Sequence, residues 1–208
     1  MGDLLLFFTA LVAIYLAPGP DMILVLGTTV SEGPRYAIAT ATGLAVARSI
    51  HVLLAAVGLA ALFASQPWTY HTVRLLGAAY LIYLGLQFLK KTSVLPVQSD
   101  LAAAGVAKAG YLAAFRRGLA TNLLNPKSLI FCSVLLPQFI HPELSGVAGQ
   151  FAVLALILVL TGFAFDLAYA LLGRGLWALS AENARYQKAQ NSVFALLLMG
   201  IGVKVAFT

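Results

Sequence analysis

The chain alternates long apolar runs with short polar linkers. A helix needs about 20 apolar residues to cross the hydrocarbon core of a bilayer. Six runs approach or exceed that length: residues 4–30, 37–64, 73–89, 112–140, 149–172 and 189–207. The pattern predicts an all-α integral membrane protein with six transmembrane helices. It divides into a first three-helix repeat over 1–90, a linker over 91–111 and a second, inverted three-helix repeat over 112–208.

Two runs are interrupted. "IYLAPGPDMILVLG" carries Pro18, Gly19, Pro20 and Asp21 inside the first, and "LLNPKSLIFCSV" carries Asn125, Pro126 and Lys127 inside the fourth. Proline removes an i to i−4 bond and costs about 3 kcal/mol in a helix interior. In hydrocarbon, the freed backbone groups must face protein or a wet cavity. Pro20 and Pro126 each fit the first position of a new half-helix, and Asn125 fits the N-cap of the second. The breaks stand at the same place in the two halves. "YLIYLGLQFLK" near the end of the third run is likewise similar to "LLLMGIGVKVAF" in the sixth. Three spans per half turn the second copy upside down, the plan of transporters with a broken helix in each repeat. Both half-helix N-termini are expected to aim partial positive charge into the membrane interior, as sites for a carboxylate. Proline kinks that only shape packing are the structural alternative.

Composition strengthens the membrane reading. The chain is 61% hydrophobic and 10% charged, where a soluble domain carries about 25% charged residues. The net charge of +6 reads as basic cytoplasmic loops and not as nucleic-acid binding. Linkers after runs one, three and five carry nine basic residues: Arg35, Lys90, Lys91, Lys108, Arg116, Arg117, Arg174, Arg185 and Lys188. The opposite side carries two, Arg74 and Lys204. The expected topology in the cytoplasmic membrane therefore has both termini outside. No basic residue precedes Arg35, so the start reads as a retained span, not a signal peptide. Trp68, Tyr70 and Trp177 suit interfacial anchoring or simple lipid contact. His71 and His141 read as loop residues.

Four ionisable residues remain inside spans: Asp21, Arg48, Lys127 and Asp166. Each needs a partner or water. Arg48 and Asp166 are expected to face a shared cavity, with Asp21 and Lys127 near its rims. Two pairings fit: Asp21 with Arg48 and Lys127 with Asp166, or a crossed arrangement joining Arg48 to Asp166. Lys127 has the further option of snorkelling to an interface. Gly162, Asp166, Tyr169 and Gly173 recur at helical spacing and line one face of the fifth run. Arg48 and His51 share a face of the second, where His51 fits a packed or hydrogen-bonded role better than that of proton carrier.

The segments "APGPDMILV", "GLAVARSIHVLLAAVGLAALF", "LLGAAYLIYLGLQFLK" and "FRRGLATNLLNPKSLIFCSVLLPQF", in this order and spacing, resemble the LysE/RhtB family of amino-acid exporters over nearly the whole chain. The resemblance implies six spans and efflux of amino acids or close derivatives, in exchange for protons. Substrate classes of that family include homoserine, threonine, their lactones, leucine and basic amino acids. It points to Pro18, Gly19, Pro20, Asp21, Asn125, Pro126 and Lys127 as the core motif positions. Arg48 departs from the acidic or small residue the resemblance implies there. It either takes a substrate carboxylate or marks a different substrate.

Rival classes fare worse. No H-E-x-x-H zinc motif occurs; Ser49 and His51, two apart on a helix, do not face one another; Asp21 and Asp166 fall one per half. Metal efflux lacks soft ligands, with one Cys and three Met. A channel or accessory subunit does not need two charged breaks. The expected partners are an amino-acid substrate, a coupling proton and the bilayer, with no cofactor, metal or nucleic acid. The binding set is Pro18, Gly19, Pro20, Asp21, Arg48, Asn125, Pro126, Lys127, Asp166 and Tyr169. Glycine-rich faces on runs three and six serve either internal packing or a homodimer contact.

Overall fold

In the computed structural model, described residues are 2–16, 19–63, 67–90, 110–141, 146–181 and 184–207. Pro18 and most of the 91–111 linker lie outside them. The first apolar run forms α1 (Gly2–Leu16) and α2 (Pro20–Ser31), bent by 50° at the Pro-Gly-Pro break. Then come α3 (Pro34–Phe63) and α4 (Pro67–Lys90). The fourth run forms α5 (Tyr111–Leu123) and α6 (Pro126–Ile130), which continues as a π turn (Phe131–Leu135) and a 3-10 turn (Leu136–Phe139). This second break bends by 64°. The last helices are α7 (Val147–Ala181) and α8 (Ala184–Phe207).

The breaks form where proline dictates. Pro20 and Pro126 both open their helices, and Asn125 caps the second by accepting from the Lys127 amide at 3.0 Å. Several helices outrun their apolar cores: α4, α7 and α8 begin earlier than the hydropathy pattern indicates, because polar ends such as 184–188 stay helical outside the apolar stretch. His71 is thereby in helix α4 and not in a loop, whereas His141 does lie in a connection. Among the described residues, α3 and α7 alone are long and apolar enough to cross a bilayer, and each bent pair qualifies when taken together. The apolar parts of α4 and α8 are shorter. The side chains of Trp68, Tyr70 and Trp177 lie outside the described set.

The core gathers Phe7, Leu11 and Ile14 of α1 with Leu135, Leu136 and Phe139 beyond the second break, and with Leu154, Leu158, Leu198 and Ile201. A second cluster packs Met22, Val25 and Leu26 of α2 on Ala37 and Leu44 of α3 and on Tyr169 and Ala170 of α7. Leu53, Leu54, Val57, Leu156, Leu160, Leu171 and Leu172 point outward, as lipid-facing positions do. Glycines set the closest crossings. A Cβ at Gly85 would meet the Ala195 carbonyl oxygen at 2.8 Å, and one at Gly202 would meet that of Ala78 at 2.8 Å. Gly85 and Gly202 thus bring α4 and α8 together inside one chain.

The polar ends pair across the fold. Arg117, midway along α5, meets Glu32 just past α2 at 2.5 Å. At the other end, Asp3 in the first turn of α1 meets His141 Nε2 at 3.2 Å and Lys204 of α8.

Candidate functional site

The two breaks meet in the interior and satisfy one another. Ending α1 at Leu16 strips carbonyl groups of their intrahelical donors. The second half supplies replacements: Lys127 Nζ donates to the Ile14 carbonyl at 2.9 Å, and Tyr169 Oη donates to that of Tyr15 at 2.7 Å. A cation at a helix C-terminus is also favoured by the helix dipole. In return, Asp21 in the first turn of α2 accepts from the second break. Asn122 Nδ2 reaches one carboxylate oxygen at 2.6 Å and Asn125 Nδ2 the other at 3.0 Å, while Ser128 Oγ lies at 3.5 Å. His51 of α3 braces the clamp, its Nε2 donating to the Asn122 carbonyl at 3.0 Å.

Arg48 lies beside this clamp with 2% of its surface exposed. Its Nη2 donates to Asp166 at 3.0 Å and stands 3.8 Å from Asp21. Its guanidinium carbon lies 5.1 Å from the centre of the Tyr15 ring. Of the two pairings open to the sequence, Arg48 adopts the crossed partner and leans on the other aspartate as well. Lys127 turns inward to backbone and does not snorkel. Nη1 of Arg48 is buried without a hydrogen-bond partner among the described residues, a costly condition for a charged group unless water or a ligand meets it.

Asp21, Arg48, Lys127 and Asp166 line one cavity of about 40 Å³ with Gly19, Asn125 and Tyr169. Asp21 and Lys127 belong to this hollow itself, not to outlying rims. Pro20 is exposed, and Pro126 opens α6. At the second half-helix the expected N-cap is present, the Lys127 amide donating to Asn125. Sequence reasoning missed Tyr15, Asn122 and Ser128. Asn122 carries a signal in hindsight, lying three residues before Asn125 in an otherwise apolar run; Tyr15 carries none. The predicted face of α7 is buried as expected: Gly162 meets Arg48 and Tyr15, and Gly173 meets Thr29 and Leu26. Among the described residues, no three His, Cys, Asp or Glu side chains gather as metal ligands.

An all-helical chain with apolar outer faces, two charged helix breaks and an enclosed polar hollow is a multi-pass membrane protein of the transporter class. The sequence pattern of the LysE type translocator family matches residues 12–208. The chain belongs to that family. It is 32% identical to the homoserine/homoserine lactone efflux protein of Salmonella typhimurium, over 92% of this chain and 89% of the relative. It is 31% identical to the leucine efflux protein of Salmonella choleraesuis, over 96% and 92%. It is 32% identical over the full length of both chains to an uncharacterized membrane protein, YrhP, of Bacillus subtilis. No solved structure matches.

Proposed function

We propose that the protein exports amino acids or close derivatives across the cytoplasmic membrane in exchange for protons. The observation that carries this reading is the free Nη1 of Arg48 beside two carboxylates in a buried hollow. A zwitterionic substrate complements that set. Its carboxylate replaces Asp166 on Arg48, and its ammonium takes Asp21 or the released Asp166. Asp166 then exchanges substrate for a proton. Gly19 and the clamp of Asn125, Lys127 and Tyr169 hold the two breaks around the site. The efflux relatives, named for homoserine, its lactone and leucine, support small and uncharged side chains. A cavity of about 40 Å³ holds only a few waters, so substrate enters after the helices part.

The layout that suits this function is six spans in two inverted repeats, residues 1–90 and 112–208 joined by a cytoplasmic linker, with both termini outside. Two findings support it. The start of α1 meets the end of the fourth run and the end of α8, while the end of α2 meets the middle of α5. Each break also supplies what the other lacks.

Purified protein in liposomes tests the reading. Labelled homoserine or leucine trapped with an excess of unlabelled amino acid should show counterflow, and an imposed pH gradient should drive net movement. Absence of counterflow for every amino acid tried would remove the proposal; counterflow indifferent to the gradient would remove the proton.

A further inference from the structure

The two halves are not in the same state. On α3, a Cβ at Gly43 would overlap the Phe115 carbonyl oxygen of α5 and reach the Leu119 nitrogen at 2.8 Å. One at Gly118 of α5 would overlap the Thr40 carbonyl oxygen and reach the Leu44 nitrogen at 3.2 Å. Backbone therefore touches backbone, and the ion pair of Glu32 and Arg117 seals the nearby end. The counterpart of this crossing in the second half is α7 against α1. Gly162, four residues before Asp166, stands where Gly43 stands five before Arg48.

At Gly162 the nearest neighbours are side-chain ends and not backbone. A Cβ there would meet Arg48 Nη1 and Tyr15 Oη, each at 2.5 Å, and Arg48 Cζ at 2.7 Å. Tyr15 Oη donates to the Leu158 carbonyl at 3.2 Å. A guanidinium and a phenol are thus wedged between α1 and α7. On that side a cavity of about 500 Å³ opens, lined by Asp3 and Leu4 of α1, His141, and Gln150, Val153 and Leu154 of α7.

We infer that this is one state of alternating access, sealed where α3 crosses α5 and held apart, with the hollow still enclosed, where α1 crosses α7 by Arg48 and Tyr15 on Gly162. In the other state α5 leaves Gly43 and α1 settles on Gly162, which requires Arg48 to withdraw. The wedge is a side chain of the site itself, so whatever draws Arg48 off Gly162 biases the two states. A ligand shifts such an equilibrium only by its differential affinity for the states, and Arg48 supplies that difference. This rests on the transporter reading above.

Cys132 reports the state directly. It is the sole cysteine of the chain and lines the central cavity with Arg48 and Asp21. A small membrane-impermeant thiosulfonate is added to either face of sided vesicles, and the ratio of the two labelling rates is read. Gly162→Ala obstructs the docking of α1 and meets only side-chain ends here; it should raise labelling from the α1–α7 face. Gly43→Ala meets α5 backbone and should reverse the preference, by about tenfold in the ratio. Tyr15→Phe removes the hydroxyl from the wedge and should move the ratio in the Gly43→Ala direction. If Gly43→Ala does not fold, the opposed shifts of Gly162→Ala and Tyr15→Phe decide. Shifts of the same sign, or none, overturn the inference. Labelling needs no substrate: counterflow with unsided labelling sinks the device alone, and sided labelling without counterflow sinks export alone.

Discussion

Removing Asp166 alone should unsettle the fold more than removing it together with Arg48. Both side chains are 2% exposed and 3.0 Å apart. At an effective dielectric constant of about 20, two unit charges at that distance attract by about 5 kcal/mol. Stranding one member of a buried pair costs about 3–5 kcal/mol, whereas replacing both with packed apolar groups is often near neutral. The surroundings decide where each single change falls. Asp166→Ala leaves Arg48 with Asp21 at 3.8 Å and the Tyr15 ring at 5.1 Å, so its cost belongs at the lower end. Arg48→Met leaves Asp21 and Asp166 as two carboxylates without their shared cation, which belongs at the upper end. For a chain of this length the worse case corresponds to a fall in Tm of about 10 °C or more. Arg48→Met with Asp166→Leu should recover most of the loss. So should the exchange of Arg48→Asp with Asp166→Arg, which keeps one charge of each sign at the crossing. The assay is thermal unfolding in one detergent at one scan rate, arranged as a double-mutant cycle. Additive single changes, with a coupling under about 1 kcal/mol, would refute the buried pair.

Other consequences follow from the clamp and the crossings. Asn122→Ala removes a fully buried donor from Asp21 and Ser128 and should lower stability by about 1–3 kcal/mol, read by the same unfolding assay. Asn125→Asp keeps the cap on Lys127 but sets a second carboxylate against Asp21. It should therefore lose more transport than stability, while Asn125→Ala should lose about 1–3 kcal/mol through the cap and the donor to Asp21 together; counterflow beside unfolding separates them. Gly202→Val forces side-chain atoms toward the Ala78 carbonyl and Ile82 and should destabilise by about 1–3 kcal/mol. A Gly202→Val protein as stable as the parent would mean that α4 and α8 do not cross there.

The positions of the breaks were legible because proline acts locally: Pro20 and Pro126 have no N–H to give, wherever the chain goes next. The apolar runs declared a lipid-facing, all-helical chain because transfer from water scales with composition. The importance of Asp21, Arg48, Lys127 and Asp166 could likewise be read from the cost of carrying charge into an apolar run. Their partners could not. Arg48 chooses Asp166 through the crossing of α3 and α7, 118 residues apart in the chain, and Lys127 reaches a carbonyl of α1 across 113. Tyr15 looks like any aromatic in a greasy helix until tertiary packing lays it under a guanidinium. Gly43 and Gly162 have similar surroundings in sequence and different ones in space. Helix–helix distance is a property of the packed state, and local sequence carries no term for it.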